Sequence, residues 1–209
     1  MGRRKHPVLA EVKGRDAGGS RPGALDRAAL DAYAGLASKL DASGPVLVSG
    51  SAKSEVALGV AAAATAAGRR VALLECDIAH PTLAGALGLP SAPGLHEYLR
   101  EEAEASQILQ PLVLAGPASG RAIEPLAVIV AGEPQSEPVA LIDSDRCDKA
   151  IQRLRKAYDL LVIDGPSLGE DPDSLQALAE HSGATLLAGG RGEASRRPPV
   201  KVSGLVLVS

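Results

Sequence analysis

Residues 46–63 read VLVSGSAKSEVALGVAAA. Val46–Ser49 is a short apolar run of the kind that forms a buried strand, and Lys53-Ser54 opens an alanine-rich helix reaching about Ala67. Between them lie Gly50, Ser51 and Ala52. Strand, tight loop and helix in this order form the frame of a phosphate-binding loop, whose working version reads G-x-x-x-x-G-K-[ST]. There, successive backbone N–H groups ring the phosphate, the lysine reaches its oxygens and the hydroxyl ligates magnesium. This stretch keeps the lysine and the hydroxyl and lacks the glycines. The frame is legible; the grip on a nucleotide is the question.

The chain on either side repeats the alternation. Upstream, residues 1–23 are basic and are expected to form a flexible arm. A helix runs from Ala24, with Leu25, Ala29, Leu36 and Leu40 at helical spacing, and DASGP ends it. Downstream, GRRVALLECD is a second strand, with Gly68 closing the helix before it. Short helices broken by Pro and Gly follow, then strands at Leu112–Ala115 and Leu126–Val130 and a helix over 145–157. That helix starts on Asp and ends on basic residues, as its macrodipole favours. YDLLVIDGPS is a strand ending on Asp164, Asp171 to His181 a helix, Ala184–Ala188 a strand and VSGLVLVS a last one. The expected fold is therefore α/β: one doubly wound, mostly parallel sheet with helices on both faces, over residues 24–209.

Composition agrees. Of 209 residues, 45% are hydrophobic, with no Phe, no Trp and three Tyr, so the core is built from Leu, Val, Ile and Ala. Aliphatic residues suit helices on a parallel sheet and offer no base-stacking surface. A net charge of −3 gives no electrostatic case for nucleic acid. Cys76 and Cys147 fit neither a disulfide framework nor a zinc site and read as reduced thiols. No apolar run reaches the roughly 18 residues of a membrane span, and the start of the chain lacks the apolar core of a secretion signal.

In such a sheet a ligand sits beyond the carboxyl ends of the strands. Three of those ends carry polar residues: Gly50 to Glu55, then Glu75 and Asp77 in ECDIAHP, then Asp164 in VIDGPS. A nucleotide–magnesium site needs these parts. Gly50, Ser51, Ala52, Lys53, Ser54 and Glu55 are the candidate cofactor-binding residues. Ser54, Asp77 and Asp164 are the candidate metal ligands. Lys53, Asp77 and Asp164 are the candidate catalytic set.

The sequence resembles the cytoplasmic kinase domain of bacterial tyrosine kinases of capsular exopolysaccharide synthesis, in the MinD/ParA-like branch of P-loop ATPases. GRRVALLECDIAHPTLAGALGL resembles that family's second Walker-type motif, an apolar strand followed by D-x-D-x-R-x-P. GLHEYLREEAEASQILQP resembles its G-L-x-x-x-L segment. Residues 126–167 resemble its L-x-x-L-P-A-G, N-P-x-E-L-L and Y-D-x-V-I-I-D-x-P-P stretch. The resemblance covers nearly everything from Ala24 to Ser209. It implies ATP or ADP with Mg2+ as cofactors, a cytoplasmic location and a membrane co-polymerase as partner. In such an enzyme Lys53 neutralises phosphate oxygens, Ser54 ligates magnesium, Asp164 holds a metal-bound water and Asp77 is the general base.

Departures from the family pattern cut the other way. Three residues separate Ser49 from Lys53 where the family's S-x-x-P-G-E-G-K has six, and a shorter loop offers fewer amides to a phosphate. Ala52 stands at the second glycine. Glu55 replaces Thr and competes with phosphate for the positive end of the helix. Glu75 replaces the first Asp, and Ala79 and His80 stand at basic positions; His80 reads as a surface residue. Asp31, Ala34 and Ala37 occupy the E-x-x-R-x-x-R positions that join subunits into rings, so a monomer or small oligomer is expected. The family's tyrosine-rich tail is not in this sequence, and Tyr33, Tyr98 and Tyr158 read as packing residues.

Two readings follow. In one, the chain is a regulatory or binding module of exopolysaccharide or lipopolysaccharide biosynthesis with weak or no nucleotide binding, and so no cofactor. In the other it is an active Mg-ATP-dependent tyrosine kinase or ATPase of the same pathway. Both place it in the cytoplasm, with peripheral contact at the inner face of the membrane as a further expectation.

Overall fold

The computed structural model describes residues 6–13, 27–40, 44–114, 124–193 and 198–209. Among these the chain runs β1 (Val8–Val12), α1 (Arg27–Ala37), β2 (Val46–Ser49), α2 (Lys53–Ala66), β3 (Val71–Glu75), α3 (Leu83–Leu87), α4 (Leu95–Leu99) and α5 (Ala105–Ile108). It continues β4 (Gln110–Leu112), β5 (Leu126–Ile129), α6 (Pro138–Ile142), α7 (Asp145–Ala157), β6 (Leu160–Asp164), α8 (Pro172–Glu180), β7 (Ala184–Gly189) and β8 (Gly204–Val208). One sheet orders the strands β1-β8-β7-β2-β6-β3-β5-β4. Every pairing is parallel except β4 with β5. The doubly wound, mostly parallel sheet expected from the alternating pattern is the fold observed.

The strands bury both faces, and adjacent residues enter opposite cores. Val46 and Val48 of β2 pack into the layer with α1 and α2, while Leu47 packs into the layer with α4, α7 and α8. The two-residue period of a strand divides the sequence this way. Helix α2 is buried on nearly every side, from Val56 through Thr65. That explains its run of alanines, which lets α1 and the sheet approach closely. At Gly59 the Tyr33 ring fills the space that a Cβ would take. Tyr33 and Tyr98 are buried and Tyr158 partly so, and Cys76 and Cys147 are buried free thiols, as expected.

Helix ends follow local chemistry. The Ser144 hydroxyl accepts the Cys147 N–H at the start of α7 (3.2 Å), and Asp171 accepts the Ser174 N–H at the start of α8 (3.0 Å).

Two expectations change. Val8–Val12, assigned to the flexible arm, is a strand parallel to β8, pairing from Val8 opposite Leu205 to Val12 opposite Val208 with a register shift between Val8 and Ala10. The basic flanks dominate that segment's composition, but VLAEV is apolar enough to cover an otherwise open sheet edge. Leu9 packs over Gly204, where a Cβ would collide with it. The remainder of residues 1–23, together with Ala24 and Leu25, lies outside the described residues, apart from 6, 7 and 13. The strand placed at Leu112–Ala115 is instead Gln110–Leu112, and it runs antiparallel at the other edge. Ala115 lies outside the described residues.

Candidate functional site

Strands β2, β6 and β3 are neighbours, so their carboxyl ends bring the three predicted segments together. Val48 and Glu75 both lie in register with Asp164. Backbone bonds lock the junction: Gly165 N–H to Val48 O (2.9 Å) and Cys76 N–H to Asp164 O (2.8 Å). Loop, Asp77 and Asp164 are thus fixed by the sheet itself.

Lys53 is the hub. Its buried Nζ lies 3.1 Å from Asp77 Oδ2 and 3.2 Å from Asp164 Oδ1, and it reaches Ser54 Oγ at 3.5 Å. Burial alone would lower the Lys53 ammonium, but Asp164 and Asp77 raise it above its ordinary value, so it stays charged. Burial pushes the Asp164 carboxyl up to about 6 against the pull of Lys53 and Ser54. Ser54 Oγ shares a 2.9 Å hydrogen bond with Thr82 Oγ1.

The folded Asp164 value lies above the ordinary 3.8, so the folded chain binds that proton more tightly than the unfolded chain does. Its contribution to stability is full below about pH 4 and is lost as pH rises through about 6. The stability of the native protein relative to Asp164→Asn should therefore fall by about 2 kcal/mol between pH 4 and 7. Denaturant melts at both pH values measure this, and an unchanged difference would sink it.

The loop is tight and its amides are taken. Gly50 has φ +107°, and a Cβ there would collide with the Ala188 carbonyl oxygen. That same oxygen accepts the Ala52 N–H (3.2 Å), and Gly50 O accepts the Lys53 N–H (3.3 Å). The Ser51 N–H donates to Glu193 Oε1 at 3.1 Å. Three successive amides therefore point at protein acceptors, one of them a carboxylate. Glu55 is not that carboxylate: its charge acts on buried Tyr33, whose hydroxyl is raised first by burial and then by Glu55. The anion crowding the loop is Glu193, from the turn after β7. No pattern near residue 50 could have pointed to it, since 142 residues separate it from Ser51.

Glu75 was read as a polar strand-end residue and a substitution in the second motif, outside the catalytic and metal-ligand sets. It is fully buried; Oε1 accepts the Thr82 and Leu83 N–H groups, and Oε2 accepts the Ala131 N–H (3.0 Å). This carboxylate is consumed by the fold. His80 is exposed, as expected, with Nδ1 3.7 Å from Asp77 Oδ1 and 3.9 Å from Glu170 Oε2. Beside it the loops after β3, β5 and β6 enclose a cavity of about 710 Å³, lined by His80, Pro134, Gln135, Glu137, Val139 and Glu170 among others.

The site thus splits in two. Ser54, Asp77 and Asp164 are hard oxygen donors of the type that magnesium takes. In this arrangement the loop's amides and the Lys53 ammonium are engaged by protein acceptors. Among the described residues no helix is long and apolar enough to cross a membrane.

The sequence resemblance is matched by comparison with known proteins. No protein-family model matches the chain. The chain is 27% identical over 149 residues to the tyrosine-protein kinase CpsD of Streptococcus pneumoniae serotype 4, covering 71% of this chain and 61% of that protein. The match therefore spans less than two thirds of that relative's length. The fold is that of the kinase domain of the Escherichia coli tyrosine kinase Etk, with a TM-score of 0.78 at 18% identity over 97% of this chain and 89% of the other. The septum site-determining protein MinD of Pyrococcus horikoshii OT3, solved in complex with Mg-ADP, shares it more loosely: TM-score 0.54, 18% identity, 72% of this chain and 60% of the other. The chain has a P-loop NTPase-like fold and resembles bacterial tyrosine kinase domains.

Proposed function

We propose that this chain is a tyrosine-kinase-like module that regulates or binds components of envelope polysaccharide biosynthesis, exopolysaccharide or lipopolysaccharide, with a phosphate loop held shut. The observation that carries this reading is the commitment of the Ser51, Ala52 and Lys53 amides to Glu193, Ala188 and Gly50. A loop that binds phosphate offers such groups outward; this one has used them. The pathway rests on the likeness to CpsD and to the kinase domains. By the same likeness the module works in the cytoplasm, at the inner face of the membrane, beside a membrane-bound co-polymerase or other envelope-assembly protein; Ala34 and Ala37 at the positions of the ring-forming arginines make it a monomer or small oligomer.

A second reading, an active Mg-ATP-dependent tyrosine kinase or ATPase, is favoured by one observation. Lys53, Ser54, Asp77 and Asp164 converge within 3.5 Å of the lysine nitrogen. Thermal unfolding with and without Mg-ATP or Mg-ADP separates the two. Ligand at 100 times its dissociation constant adds about 2.7 kcal/mol, a rise of roughly 5–11 °C for a chain of this size. The closed loop gives no rise at millimolar nucleotide. A rise of several degrees that Ser54→Ala reduces would overturn it in favour of the enzyme.

A further inference from the structure

We propose that Glu193 is an intramolecular competitor for the anion seat of the 50–54 loop, so that nucleotide binding is gated by withdrawal of the turn at residues 190–193. The inference rests on the closed-loop reading and says what closes it.

The seat is built from both sides. Glu193 is held by a turn in which its own N–H donates to Gly190 O (3.0 Å), and its buried carboxylate faces the Ser51 N–H at 3.1 Å. Gly189 permits the approach: a Cβ there would lie 2.5 Å from Ser51 Oγ and 3.1 Å from Glu193 Cγ. Ala188 O takes the next amide of the loop, that of Ala52. The end of β7 and its turn thus cover two consecutive phosphate-type donors, one with a backbone oxygen and one with a charge. A carboxylate on a backbone N–H makes a charge-assisted bond, about twice as strong as a neutral one. It also carries the same charge sign as the ligand it displaces.

A tethered group competes at an effective concentration of millimolar order, against which a weak free ligand loses. If the seat is open for a fraction of the time, the apparent dissociation constant rises by the inverse of that fraction. Glu193 therefore makes the loop conditional rather than dead. Lys53, Ser54, Asp77 and Asp164 stay assembled behind it for when the turn moves.

Calorimetric titration of Mg-ADP into the whole chain tests this, using the native protein, Glu193→Ala, Glu193→Gln and the charge control Glu102→Gln. Glu193→Ala should tighten binding by at least about tenfold, the worth of one charge-assisted hydrogen bond. Glu193→Gln keeps the length of the side chain and should gain less, and Glu102→Gln should match the native protein. The Ser51 amide resonance should move on adding Mg-ADP to Glu193→Ala, and melting without nucleotide shows that each variant folds. If no variant binds at millimolar Mg-ADP, the inference falls and loop length alone closes the site. If the native protein and Glu193→Ala bind equally at micromolar concentration, the inference and the closed-loop reading fall together.

Discussion

Replacing Lys53 with methionine lowers the stability of the folded chain by about 4 kcal/mol at pH 7, a fall of roughly 8–16 °C in melting temperature. The reason is charge, not volume. Methionine fills much the same space, but it leaves Asp77 and Asp164, 2% and 0% exposed, without the ammonium that lies 3.1 and 3.2 Å from them. Breaking a buried ion pair from one side typically costs 3–5 kcal/mol, because the remaining charge keeps its desolvation penalty and loses its partner. Nearby Glu75 is also buried and adds to the unfavourable field on Asp164.

The loss should depend on pH. Without Lys53, the Asp164 carboxyl rises further above its already elevated value, and the folded variant escapes by taking up a proton. Protonation is easy at pH 5 and costly at pH 8, so the deficit should grow across that interval. Adding Asp77→Asn and Asp164→Asn should recover a large part of it, since neutral amides need no countercharge. A deficit under about 1 kcal/mol at pH 7, or one that pH leaves unchanged, would show that Lys53 does not hold the two carboxylates in place.

How far the sequence reached follows from the range of the forces involved. Sheet, strand ends and the convergence of Lys53, Ser54, Asp77 and Asp164 were legible because strand periodicity is local and parallel topology is restrictive. Any doubly wound order that makes β2, β6 and β3 neighbours puts those four residues at one edge. Local signals of equal strength misled at Val8–Val12, where five residues of strand pattern sit in basic surroundings and pair with residues nearly two hundred positions away. Loop occupancy was not legible. The shortened spacing predicts too few amides, and the structure adds that the amides of Ala52 and Ser51 are spent on Ala188 and on Glu193. Glu55 drew attention because it adjoins the motif, whereas Glu193 is 142 residues from the loop it bonds.

Glu75 carries the other large expectation. Replacing it with alanine should cost about 4 kcal/mol, although the residue belongs to no candidate catalytic or metal-ligand set. At the family's first Asp position a carboxylate one carbon longer reaches past the end of β3. There it gathers the N–H groups of Thr82 and Leu83 at the start of α3 and of Ala131 after β5. With no exposure, each of those donors loses its acceptor on substitution and no water replaces it, at about 1–3 kcal/mol apiece before relaxation. Glu75→Gln is the sharper probe. It preserves volume, and its amide can accept at one end only, so the N–H groups served by the two oxygens can no longer all be satisfied. A loss of about half that of the alanine variant is expected. Hydrogen exchange should then show faster opening at Thr82, Leu83 and Ala131 ahead of the rest of the sheet. Because Thr82 also holds the Ser54 hydroxyl, loosening α3 frees the first turn of α2 as well. If Glu75→Ala melts within about 3 °C of the native protein, a shift of less than about 1 kcal/mol, the carboxylate is not the clamp between α3 and β5, and its full burial needs another cause.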